Sequence, residues 1–137
     1  MNEVSAQKTA SLQRCISRAR EAHARAGAAF ATEYDLQDAA ILNIIRACEA
    51  AIDLANMTIR QRRLGIPSES RESFAVLARE GLIDAELGTR LQKMVGFRNL
   101  AVHQYRDIDL KIVESLIQKR LQDLLEFAAA VHPILQG

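Results

Sequence analysis

The chain has 137 residues, enough to bury one core without disulfide or metal staples, and it reads as a single domain over residues 1–137. Its 49% hydrophobic and 26% charged residues exclude a disordered or fibrous class, and a net charge of +1 gives no overall electrostatic sign of a nucleic-acid partner. Aromatics are few and Pro occurs twice, which favours helix, and without Trp the large core pieces are Phe30, Phe74, Phe97 and Phe127. Arg far outnumbers Lys; this suits phosphate recognition, although a GC-rich genome explains the skew more simply. Cys15 and Cys48 are too far apart for a metal motif and are expected as buried free thiols. Neither a signal peptide nor an apolar run of membrane length is present, so the expectation is a cytoplasmic protein without a membrane partner.

A first helix is expected from about Ala6 to Ala26, with Leu12, Ile16 and Ala19 on one face. Tyr34, read as a packing staple, and Asp35 open a longer second helix. Its apolar positions run in three- and four-residue steps from Leu36 to Ile59, and Gly65 and Pro67 stop it. Ser68 or Ser70 is expected to cap a short third helix through Phe74 and Leu77, with Gly81 as its C-terminal stop. Asp84 caps a fourth, carrying Leu87, Leu91, Met94 and Val95. Asp107 or Asp109 opens a fifth, whose apolar stripe from Leu110 to Val131 closes at His132-Pro133. No segment alternates with period two, so the expected fold class is all-α, a bundle of about five helices.

The segment from Gly96 to Arg106 carries the chemistry. Within nine positions it holds Arg98, Asn99, His103, Tyr105 and Arg106. RNA supplies its own nucleophile in the ribose 2′-hydroxyl, so cleavage requires neither a protein nucleophile nor a metal. An imidazole able to move protons near neutral pH and a guanidinium to neutralise phosphoryl oxygens form a sufficient set. Arg98 and His103 meet that description. The same two residues also suit structural work, with His capping carbonyls and Arg pairing a carboxylate. Five residues apart, they lie about 140° from each other around an ideal helix. They converge only if the helix ends near them or a second subunit completes the site. Glu49, Asp53, Asn56 and Arg60 form a polar strip on the second helix, open to two readings: a lining for the cleft or a solvated face. Arg60, Arg62 and Arg63 either guide RNA or complement the negative end of their helix. Arg14, Arg18 and Arg25 belong to a charged outer face. His23 and His132 have no partner at useful spacing and read as surface or helix-end residues.

Arg98, four residues, His103, one residue and Tyr105 match the R-x4-H-x-Y motif of the HepT-like branch of the HEPN superfamily. Residues 94–103, the Tyr34-to-Ala55 helix and the Phe74–Gly81 segment also resemble that family, and the resemblance covers about residues 11–132. It implies a HEPN-like bundle, homodimeric, in which Arg and His of both subunits face one cleft. It further implies that the chain is the ribonuclease toxin of a type VII-like toxin–antitoxin system. His103 would be the general acid or base, and Arg98 would neutralise the scissile phosphate. Asn99 would either hydrogen-bond phosphate or support the cleft, a structural role being the alternative. Tyr105 would accept AMP from an MntA-like nucleotidyltransferase antitoxin, blocking the site by charge and bulk. ATP and Mg2+ would belong to that partner, and this chain would carry no metal or cofactor. The alternative is a non-catalytic HEPN scaffold for the nucleotidyltransferase.

Overall fold

The structure, a computed structural model, describes residues 3–136, and all the regular structure among them is helical. Helix α1 spans Glu3–Ala26, starting three residues before the expected Ala6. A 3-10 turn at Gly27–Ala29 reverses the chain into α2, Tyr34–Arg62. Gly27 takes a φ of 54° there, a left-handed conformation that suits a residue without a Cβ. The Gln37 amide donates to Phe30 O at 2.6 Å, and the Phe30 ring meets His23 edge-on, so buried groups lock this turn. α1 and α2 then pack along most of their length, with Leu12, Ile16 and Ala19 against an Ala-rich stripe of α2. Small residues at Ala40, Ala47, Ala51 and Ala55, all fully buried, let the two backbones approach closely.

α3 spans Ser70–Arg79 and α4 spans Ala85–His103. They pack against each other and against α2. α5 covers residues 110–136; it is α-helical over Leu110–Ser115, widens to a π turn over Leu116–Arg120, and returns to α over Leu121–Gln136. Phe74 of α3 meets Phe127 of α5 edge-to-face at 5.1 Å. Together with Leu77, Leu91, Leu121 and Leu124 they close the core beneath α2. All four Phe side chains are buried, as are Cys15 and Cys48, which are free thiols.

Several expectations about local structure need correction. α2 ends before Gly65, because Arg63 itself adopts the left-handed conformation at φ 55° and its amide and that of Leu64 return to Arg60 O and Ile59 O. Neither Ser68 nor Ser70 caps α3. Glu69 occupies that position without a side-chain bond, while the Ser68 amide and hydroxyl both donate to the Glu72 carboxylate at 2.6 Å. These two bonds hold the Glu72 carboxyl below its usual pKa. Tyr34 is 69% exposed and is no staple. His23 does have a partner, Glu114 of α5 at 2.9 Å, brought together from 91 residues apart. The last helix runs past His132 to Gln136 with Pro133 inside, which costs only one hydrogen bond near a helix end. Asp84 and Asp109 cap α4 and α5 as expected, and Gly81 terminates α3 at φ 74°.

Candidate active site

α4 carries the motif, and it runs unbroken from Ala85 to His103, where Gln104 leaves helical geometry at φ −140° and ψ 55°. Arg98 and His103 therefore lie about 140° apart around one unbroken helix. Arg98 is half-buried and turned towards α3, where its Nη2 donates to the Ser70 hydroxyl at 3.2 Å. Its Nε is buried with no hydrogen-bond partner among the described residues, so the guanidinium retains a desolvated donor. The buried Cys48 thiol of α2 lies within its electrostatic reach. Burial pushes that thiol up to about 12; the Arg98 charge opposes this and Glu49 adds to it. Arg98 and Glu49 are thus within electrostatic reach of the same buried atom, on facing helices.

His103, by contrast, is exposed at the C-terminal end of α4. No hydrogen-bond partner for its ring is found among the described residues, which suits a group that exchanges protons with a ligand. Asn99 is half-buried one turn before it. Tyr105 follows in a 3-10 turn, Tyr105–Asp107, and its hydroxyl donates to the Asp38 carboxylate of α2. Partial burial first, then Asp38, push the phenol up to about 12. The turn is thereby fastened to the first half of α2, with Tyr105 still 42% exposed. Val102 is half-exposed beside it.

The polar strip of α2 divides. Asp53 pairs with Lys8 of α1 at 2.8 Å, and Asn56 accepts from Ser73 of α3 at 2.6 Å, while Glu49 and Arg60 are exposed. Arg62 and Arg63 are exposed at the end of α2. Among the described residues no group of three or more His, Cys, Asp or Glu side chains is placed to hold a metal ion. No helix is long and apolar enough to cross a membrane. Three contacts at the site were not anticipated from sequence: Ser70 on Arg98, Asp38 on Tyr105, and Arg71 laid against Gly96. The first two join residues 28 and 67 positions apart, beyond the reach of helical periodicity. A glycine inside a well-formed helix, Gly96, was the one available signal for the third.

A five-helix bundle with an Arg, a His and a Tyr around the exposed end of its fourth helix defines a HEPN-type protein. The family described as ribonuclease HepT-like matches residues 12–131, and the chain belongs to it; its enzyme class is that of a ribonuclease. It is 45% identical over 127 residues to the mRNA nuclease HepT of Shewanella oneidensis, covering 93% of this chain and 95% of that protein. It superposes with a TM-score of 0.91 and 42% identity on the tri-AMPylated Shewanella oneidensis HEPN toxin in complex with its MNT antitoxin, covering 97% of this chain and 99% of that one. The fold alone is shared with the cytosolic Bacillus subtilis protein YutE, at a TM-score of 0.72 and 18% identity over 93% of this chain and 90% of that one.

Proposed function

We propose that the chain is the toxin of a type VII-like toxin–antitoxin pair. It cleaves RNA without a metal through Arg98 and His103, and it is silenced by AMP transfer to Tyr105. In this reaction the ribose 2′-hydroxyl attacks phosphorus, its proton leaves to a base, and the 5′-oxygen departs as it gains a proton. His103 moves protons, Arg98 neutralises the phosphoryl oxygens, and the product end is a 2′,3′-cyclic phosphate. The observation that carries this reading is the 45% identity over 127 residues to the mRNA nuclease HepT of Shewanella oneidensis. The separation of Arg98 and His103 around an uninterrupted α4 favours a homodimer in which two copies of α4 face one cleft, Arg98 of one working with His103 of the other. Asn99 supports the phosphate in that cleft, and Glu49 lines it from α2. Asp53 is less well placed for this because Lys8 occupies its carboxylate.

The silencing partner is a nucleotidyltransferase like the MNT antitoxin found with the Shewanella toxin. It brings the ATP and Mg2+, and this chain contributes the Tyr105 hydroxyl. An AMP group there adds a phosphate charge two residues from His103, where substrate phosphate must enter. A second reading, a non-catalytic scaffold, draws on the contacts of Arg98 with Ser70 and Tyr105 with Asp38, which give two motif residues structural work.

The deciding experiment incubates the purified chain, free of AMP by intact mass, with several RNA classes in EDTA, beside an Arg98→Ala/His103→Ala variant of equal helicity. Cleavage by the wild type alone, leaving cyclic phosphate ends, is expected. A folded, unmodified wild type that cleaves none of them moves the assignment to the scaffold.

A further inference from the structure

Arg71 is the second residue of α3, and it lies across α4. A Cβ placed on Gly96 would stand 2.7 Å from the Arg71 Nη2, so the guanidinium rests where any other side chain would be. Gly96 is an interior helical position, where glycine weakens a helix relative to alanine. Arg71 belongs to no ion pair among the described residues, nor does Lys93, one turn before Gly96 on α4. These two cations, with Thr89, Gln92 and Gly96, line an open cleft of about 520 Å³. The Thr89 hydroxyl and one Gln92 amide hydrogen are spent on carbonyls of their own helix, which leaves Arg71 and Lys93 as the charged donors. Seven residues separate Gly96 from His103, two helical turns less about 20°, so both lie on one face of α4 about 10 Å apart along its axis.

We propose that this cleft is a phosphate subsite for the RNA strand, holding a phosphodiester that flanks the one cleaved and laying the strand along α4 towards His103. The inference rests on the ribonuclease reading. Arg71 is a positioning residue in it, presenting a planar fork to the phosphate while Lys93 adds a point charge. Gly96 keeps the fork flat against the helix.

The test measures binding of fluorescent single-stranded RNA by the full chain carrying His103→Ala, so that cleavage does not interfere, across a salt series. Adding Arg71→Ala is expected to weaken binding about three- to tenfold for every RNA sequence tried and to reduce the salt slope by about one. Arg71→Lys retains part of the affinity. Gly96→Ala displaces the guanidinium without touching a charge, and it is expected to lower affinity similarly while the melting temperature stays equal or rises. Arg18→Ala, on the outer face of α1, leaves binding unchanged. In the active enzyme Arg71→Ala raises KM for RNA and leaves kcat within about twofold. Unaltered affinity and salt slope in both Arg71→Ala and Gly96→Ala overturn the subsite. Cleavage by the wild type is scored separately: cleavage with an indifferent Arg71 sinks the subsite alone, while RNA binding that depends on Arg71 without cleavage sinks the ribonuclease reading alone.

Discussion

Tyr105 shows how much one contact changes what a residue can do. As a sequence position it is a phenol next to a histidine. In the folded chain its proton is donated to Asp38, and burial and that carboxylate hold the phenol at about 12 rather than 10.0. Because the folded value lies above the unfolded one, the neutral phenol stabilises the native state fully below pH about 10. That contribution is lost as pH rises through about 12. Asp38→Asn removes the negative charge and keeps the shape, so the Tyr105 pKa should fall towards 10 while burial keeps it from arriving there. Absorbance titration of the phenolate in a Tyr34→Phe background, which leaves Tyr105 as the one tyrosine, reads this directly. An unchanged titration would show that Asp38 does not face the hydroxyl in solution. Arg98 is the converse case: Ser70 accepts from one nitrogen, while the Nε is buried with no hydrogen-bond partner among the described residues.

At the scale of elements, α3 against α4 is the packing that positions the site, and two glycines of α4 serve it differently. A Cβ on Gly88 would meet the Ala78 Cβ at 2.9 Å and lie 3.6 Å from both Phe74 O and the Ile83 side chain, all parts of a buried seam. On Gly96 it would meet only the far end of Arg71. Gly88→Ala should therefore push α3 away and destabilise the chain by about 1–2 kcal/mol, even after the gain in helix propensity. Gly96→Ala should be neutral or stabilising. Chemical denaturation of the two variants side by side checks the contrast, and equal midpoints would mean that α3 does not press on α4 at Gly88. Sequence periodicity located both helices and their apolar faces, because burial of Leu87, Leu91, Met94 and Val95 follows the helical repeat. Their mutual approach was not legible, since it depends on the absence of a side chain in one helix meeting a small side chain in another. The ends of elements were misread where the local chemistry was unusual: an arginine in the left-handed conformation at residue 63, and a proline tolerated in the last turns of α5.

For the whole molecule, the family was legible in the sequence, while one copy of α4 sets its Arg98 and His103 on different faces. Spacing alone placed Arg98 and His103 about 140° apart, and an α4 that continues to His103 keeps them so. If two chains form the site, Arg98 of one copy works with His103 of the other, and subunit mixing exposes this. Arg98→Ala and His103→Ala chains, each inactive alone, are unfolded together and refolded. In a mixed dimer one cleft half pairs both substitutions and is dead, while the other pairs an intact Arg98 with an intact His103. Random association makes half the dimers mixed, so about a quarter of the wild-type site activity should return. Sites contained within single chains would restore none, because neither chain holds an intact pair. The fraction recovered against mixing ratio therefore reports where the cleft is built, independently of which RNA it prefers.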